Sequence, residues 1–434
     1  MSEAWFADSI GLQTRDGQSE DNAWRRRLLD LVSRRLGRDP SASFNAVVKV
    51  AKGADPILVQ AMLRELAATA SPRVRARARE VLANAGQQTA LLSAVCGEGL
   101  PAPHPLDYEW RFTRRTRDDL VSSAFARASR SVLLLGCPTV ALTLLARSPD
   151  LRTTLVDDNP ALPVLSDLVP RETANYTQLR ADLIARPNVT ADLEVDVVIA
   201  DAPFYPEAMT GFLAAAVNGA RRGATVLFVL PPFGTRPSAE SDVRDFFRLA
   251  TASGLRHEAT LTNGVRYVRP PFEANAHRAA GLLSVADDWR AADLAVFRLT
   301  SRAAPTKAPL ESERARWREV VVGGKRWRVK TNSGDADAVE GLLQPIAANS
   351  VLDSVSRRDQ RRHQANVCTD ANEFFITSNP DLLLEVLASI NTGLNPAAQG
   401  EKLLGRTFGF TEYVEVTVAH DMITRGAGAE TELG

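Results

Sequence analysis

Across 434 residues, 52 lysines and arginines balance 52 aspartates and glutamates, with apolar residues at 45% and charged residues at 24%. At roughly 150 residues per domain this length holds two or three domains with real cores, and the composition excludes a disordered, collagen-like or disulfide-scaffold chain. The neutral balance argues against a protein that coats nucleic acid, because phosphate binding rests on a surplus of Lys and Arg.

Residues 21–97 read as helices without strand signals. Trp24, Leu28, Leu29, Leu31, Val32 and Leu36 form a helical stripe, Asp55-Pro56 opens a second helix as cap and first residue, and a third runs from Ser71-Pro72 to Gly86. A helical domain over residues 1–100 follows, read either as a winged-helix or helix-turn-helix unit or as a lid or dimerisation domain. Arg73, Arg75, Arg77 and Arg79 do not share one helical face, which favours the second.

The proline-rich stretch 99–110 marks a boundary, and beyond it short apolar runs alternate with helices. Runs at 131–136, 153–158, 176–182, 195–201 and 224–232 are near-continuously apolar, the mark of parallel strands buried on both faces. Residues 101–300 are therefore expected to be a doubly wound, Rossmann-like α/β domain, with further strands at 257–268 and, closing it, at 293–299. After a linker at 301–309, residues 310–434 predict a small α+β domain. Its elements are a hairpin at 318–330 around Gly323-Gly324, helices at 337–347 and 379–390, a final strand at 412–420 and a frayed tail.

In an open α/β sheet the ligand sits beyond the carboxyl ends of the strands. Those ends carry Gly136-Cys137-Pro138, Asp157-Asp158-Asn159, Asp182, Asp201-Ala202-Pro203-Phe204-Tyr205 and Pro231-Pro232-Phe233 in turn. A glycine lets the backbone approach a ligand, a carboxylate after the second strand accepts ribose hydroxyls, and an acid followed by prolines and aromatics holds an attacking amine. A capping or turn role for the same Asp, Asn and Gly residues is the structural alternative.

Residues 107–300 resemble the class I S-adenosylmethionine-dependent methyltransferase fold. Asp201-Ala202-Pro203-Phe204-Tyr205 is similar to the Asp-Pro-Pro-Phe/Tyr motif of enzymes that methylate amines. The wider arrangement also resembles the branched-chain polyamine synthases, aminopropyltransferases with a helical N-terminal domain before such a fold. The resemblance implies S-adenosylmethionine, or decarboxylated S-adenosylmethionine, bound by Gly136, Cys137, Pro138, Asp157, Asp158 and Asp182. It implies catalytic work by Asp201, Phe204 and Tyr205 on an amine-bearing substrate. The expected function is methyl transfer to an amine, with aminopropyl transfer as the alternative. A single glycine in the first loop and Ala202 in place of the first proline motivate a reading of another class, a catalytically degenerate binding or assembly module. A nicotinamide enzyme is disfavoured because no GxGxxG follows the first strand.

Tyr108 and Trp110, just before the first strand, together with Phe233 and Arg266, are further substrate-binding candidates; anchoring of the domain junction is the alternative for Trp110. His104, His257, His277, His363 and His420 form no set, and Cys96, Cys137 and Cys368 no CxxC, so no metal is expected and a reducing, cytoplasmic setting is. The basic run 357–363 reads as a solvated helix face. Nucleic acid is a disfavoured partner, no membrane span is indicated, and the flanking domains are the surfaces open to a homo-oligomer or protein partner.

Overall fold

A computed structural model describes residues 15–85, 99–107, 109–126, 130–169, 173, 175–303, 316–331, 341–393, 395–404, 407–408 and 410–428. The first layer is helical: α1 (Arg15–Arg38), α2 (Phe44–Val50), α3 (Pro56–Thr69) and α4 (Pro72–Ala85). Leu28, Val32 and Leu36 of α1 are wholly buried, as the stripe predicts, against Val47 of α2, Met62 and Leu63 of α3 and Val81 of α4. Asp55 caps α3 by accepting from the Ile57 N–H at 2.8 Å, with Pro56 at the first helical position.

The central layer follows as α5 (Arg114–Phe125), β1 (Ser131–Leu135), α6 (Pro138–Arg147), β2 (Arg152–Asp157), α7 (Leu162–Leu168), β3 (Tyr176–Arg180), β4 (Val195–Ala200), α8 (Pro206–Gly219), β5 (Ala220–Leu230), α9 (Ala239–Ala252), β6 (Leu255–Arg266), α10 (Pro271–Ala279) and β7 (Ala291–Leu299). The strands lie in the order β3-β2-β1-β4-β5-β7-β6. The first five are parallel, while β7 runs antiparallel between β5 and β6. The five predicted parallel strands are all present. β1 is buried along its whole length because helices cover both faces, with one core around Leu133, Val198 and Phe228 and the other around Val132, Leu134 and Ile199.

One expectation changes here. The separate strands expected within 257–268 are one strand, β6, bent by register shifts between His257 and Ala259 and between Leu261 and Val265. The strand expected at 293–299 to close the domain is β7, the last of this sheet in sequence, and it lies between β5 and β6.

The third layer holds β8 (Trp317–Val322), β9 (Lys325–Lys330), β10 (Gln344–Pro345), α11 (Gln360–Gln364), β11 (Val367–Thr369), β12 (Phe374–Ile376), α12 (Pro380–Thr392), α13 (Pro396–Leu404) and α14 (Phe410–Gly428). Its five-stranded sheet has the order β10-β12-β11-β9-β8 and is antiparallel. The β8–β9 hairpin turns on Gly323 and Gly324, both at positive φ as a tight turn of this hand requires.

The strand expected at 412–420 is helix α14. Its β-branched alternation suggests a period of two, yet the buried residues are Val416, Ala419 and Ile423, while Tyr413, Val414 and Val418 face outward. Spacing of three and four is the helical period, and packing against α12 and α13 selects it. The helix continues to Gly428, through the start of the segment expected to fray. Of the helix expected at 337–347, residues 337–340 lie outside the described residues and Gln344–Pro345 is β10; proline at 345 denies a helix interior its N–H. Residues 304–309 of the expected linker also lie outside the described residues. No helix among the described residues is long and apolar enough to cross a membrane.

The layers are joined by specific bonds. Asn45 donates to the Ser284 carbonyl at 2.8 Å and accepts from the Ala286 N–H at 2.9 Å, clasping the helices to the chain between α10 and β7. Arg328 of β9 holds Asp107 through both terminal nitrogens, and Arg362 donates to the Pro105 carbonyl at 2.9 Å.

At Gly234 the first two layers meet backbone to backbone: its N–H donates to the Lys52 carbonyl at 2.8 Å, and a Cβ there would overlap the Ala51 carbonyl oxygen. Backbone against backbone cannot relax as a side chain does. Gly234→Ala is therefore expected to lower stability by about 1–3 kcal/mol or more, read as a fall of several degrees in the melting temperature. An unchanged melt would show that the helical layer is not seated on this loop.

Candidate functional site

At the carboxyl ends of β1, β2 and β4, the three layers enclose a cavity of about 660 Å³. Gly136 follows β1 at φ 68°, and a Cβ there would lie 2.8 Å from the Asp201 carbonyl oxygen and 3.0 Å from the Phe212 ring. Only glycine fits both constraints. The Gly136 N–H donates to the Val156 carbonyl and the Asp201 N–H to the Leu135 carbonyl, each at 3.0 Å, so sheet register itself brings the three strand ends together. Cys137 and Pro138 begin α6 on the cavity wall; the Cys137 thiol is buried, directed at the Leu135 carbonyl, and burial together with Asp201 and Asp157 pushes its pKa well up.

Asp157 and Asp201 face the same space. Burial pushes the Asp157 carboxyl up to about 7 despite the N–H it accepts from Asn159 at 3.0 Å, with Asp158 and Glu109 adding repulsion. Burial likewise pushes Asp201 up to about 8; the Tyr267 hydroxyl, which donates to its Oδ1 at 2.6 Å, opposes the rise and Asp157 adds to it. Tyr267 lies against Phe112, ring centroids 4.9 Å apart, and its N–H donates to the Arg290 carbonyl at 3.0 Å. The Arg290 guanidinium stands over Trp110 at 4.8 Å and Trp289 at 4.7 Å while bound to buried Glu273.

Of the predicted site residues, Gly136, Cys137, Pro138, Asp157, Asp158, Asp201, Phe204, Tyr205 and Trp110 line the cavity. Trp110 also meets the Phe272 ring edge-on at 5.4 Å, so it serves wall and junction at once. Three predicted residues stand apart. Asp182 is spent in a local turn, accepting from the Ile184 N–H at 2.9 Å, and does not line the cavity. Phe233 faces the helical layer, with Arg27 over its ring at 4.5 Å and its carbonyl bound by Trp24. Arg266 donates to the Asp288 carbonyl at 2.9 Å, away from the wall, and nearby Arg269 is buried against Asp287. Tyr108 lies outside the described residues.

The wall also includes residues that sequence reasoning missed. Glu20, Asp21, Trp24 and Asp55 come from the helical layer, and Asp353, Ser354, Ser356, Arg358 and Arg361 from the third layer. The cavity wall is therefore not built by the central layer alone, and part of the basic run 357–363 faces the cavity rather than solvent alone. In all, nine carboxylates and five arginines line it. Glu109 is itself positioned, accepting from Arg111 at 2.7 Å and from Asn159 at 2.9 Å. Among the described residues no cluster of His, Cys, Asp and Glu could hold a metal ion.

Raised carboxyls have a consequence for the ligand-free protein. A carboxylic acid whose folded pKa exceeds its unfolded value binds more protons when folded, so its contribution to stability falls as pH rises, here from about 4 to about 8 for Asp201. Asp201→Asn keeps an acceptor for Tyr267 and removes the charge. It is expected to match the wild type near pH 4 and to melt several degrees higher near pH 9, read from melting curves across pH; parallel curves would contradict the buried, uncompensated carboxyl.

No family model and no curated protein sequence matches the chain. Among solved structures it is similar to the branched-chain polyamine synthase from Thermus thermophilus, whose crystal structure is a complex with N4-aminopropylspermidine and 5'-methylthioadenosine. The identity is 14% over 68% of this chain and 95% of that one, with a TM-score of 0.50. The C9 mutein of the same enzyme gives 14% identity over the same shares and a TM-score of 0.51. With its strand order and inserted antiparallel strand, the chain has a class I S-adenosylmethionine-dependent methyltransferase-like fold.

Proposed function

We propose that the chain is a transferase that alkylates an amine, with S-adenosylmethionine or its decarboxylated form as donor and methyl transfer as the first reading. The observation that carries it is Asp201: a carboxyl at the end of β4, held by Tyr267, with its pKa pushed up to about 8 inside an acid-lined cavity. An aliphatic amine is protonated at neutral pH and must lose that proton to attack. A carboxyl poised near the working pH is suited to hold the ammonium and take its proton.

The donor set fits a nucleoside. Asp157, held through Oδ1 by the Asn159 N–H, offers its carboxylate to ribose hydroxyls, and Gly136 and Pro138 border the space where a tail would run. When bound, such a donor supplies a carbon made electrophilic by an adjacent sulfonium. Tyr267 keeps the Asp201 carboxyl oriented, Trp110 and Phe204 exclude water, and the paired acids favour positive charge at the centre of the cavity. Aminopropyl transfer is the second reading, supported by the excess of nine carboxylates over five arginines on the wall, which suits cationic ligands.

Calorimetric titration with S-adenosylmethionine, S-adenosylhomocysteine and decarboxylated S-adenosylmethionine tests the proposal. At least one is expected to bind, and the sulfonium forms should bind more tightly as pH rises through about 7 to 8, where Asp157 and Asp201 ionise. Asp157→Asn should weaken that binding by about tenfold or more, whereas Asp201→Asn should slow turnover of an amine acceptor by about 10²-fold or more. Failure of all three compounds to bind sinks the transferase reading; binding with cellular function intact in Asp201→Ala would favour a binding module.

A further inference from the structure

Tyr205 ends the segment that follows β4, and its ring is crowded by positive charge. The guanidinium carbons of Arg236, Arg357 and Arg358 lie 5.9, 5.3 and 5.8 Å from the ring centroid. Arg236 is tied to Asp242 at 2.6 Å, and Arg357 faces Glu207 at 3.7 Å. Arg358 is exposed, lines the cavity and, among the described residues, is ion-paired with no carboxylate. Ser354 and Ser356 line the wall beside it; their hydroxyl oxygens accept the Ser356 and Arg358 N–H groups at 3.1 and 3.2 Å, which leaves both hydroxyl protons to donate elsewhere.

Arg236 and Arg357 each already meet a carboxylate, so the positive charge left beside the ring is chiefly that of Arg358, and an anion there completes its pairing. The three guanidiniums also occupy the surroundings of the Tyr205 ring that a flat nucleobase would need for stacking. Asp157 and Asp201 meanwhile make another part of the same cavity acidic. The two regions ask for opposite charges on one ligand.

We infer that the acceptor is zwitterionic, an amine presented to Asp201 and joined to a carboxylate or phosphate group that Arg358 holds with Ser354 and Ser356 beside Tyr205. This rests on the amine-alkylation reading and narrows it. A second ammonium at this position would face three guanidiniums, so a polyamine is disfavoured on the Tyr205 side.

The test uses matched pairs that differ only in the distal group: γ-aminobutyrate against putrescine, and δ-aminovalerate against cadaverine, with aminopropylphosphonate as the phosphate-like arm. Each is titrated calorimetrically onto the full chain, free and saturated with S-adenosylhomocysteine. The anionic members should bind at least about tenfold more tightly than the diamines, a difference of about 1.4 kcal/mol, and Arg358→Gln should bring the ratio to about one. The phosphonate arm tells phosphate from carboxylate. Equal or tighter binding of the diamines, a preference that survives Arg358→Gln, or no binding by any member overturns the inference. An anionic preference in a protein that binds none of the S-adenosyl compounds would leave the anion site standing and remove the transferase reading.

Discussion

The hydrogen bond from Tyr267 to Asp201 is the point at which the site is tied together. It joins the end of β4 to the chain leaving β6, two segments separated in the sheet by β5 and β7. From Tyr267 the connection continues through Phe112 to the segment before β1, and through the Arg290 carbonyl to the Trp110–Arg290–Trp289 stack. A buried acid without this donor would have no neutral partner at its Oδ1, and the stack would lose the element that sets its position relative to the strand ends. Satisfied buried polar groups of this kind specify one arrangement among several of similar apolar packing.

The centre of the sheet was readable because burial on both faces leaves a local mark, a short unbroken apolar run, as at β1, β4 and β5, whereas β3 at the edge has no buried residue and carries Thr177, Gln178 and Arg180. The strand-end residues Gly136, Asp157 and Asp201 were readable for the same reason, since their positions follow from the strands. Helix α14 was not, because β-branched residues on alternate positions imitate a strand until the packing partners are known. Glu20, Asp21 and Arg358 were unreadable as wall residues. Each is an ordinary surface charge in its own segment, and what brings it to the cavity is docking between layers distant in sequence, which leaves no periodic trace.

A net charge of zero conceals this division. The wall gathers nine carboxylates from all three layers, and the arginines that balance them are mostly committed: Arg111 to Glu109, Arg290 to Glu273, Arg236 to Asp242 and Arg361 to Asp353. The field that a ligand meets is therefore set by the groups that, among the described residues, have no counter-ion, which include Asp157, Asp201 and Arg358 and, from the helical layer, Glu20 and Asp21. Overall composition says little about them.

A wall that runs from Glu20 to Arg361 also constrains the order of assembly. The parallel sheet can close once β7 is made, well before the third layer exists, yet the cavity at that stage lacks the side on which Ser354, Ser356 and Arg358 stand. Contacts of such long sequence separation form late in folding and carry the entropy of closing a long loop. During synthesis the central sheet would thus pass through a period in which it is folded but its cavity is open on one side, and a complete binding site would arise only as the last layer docks.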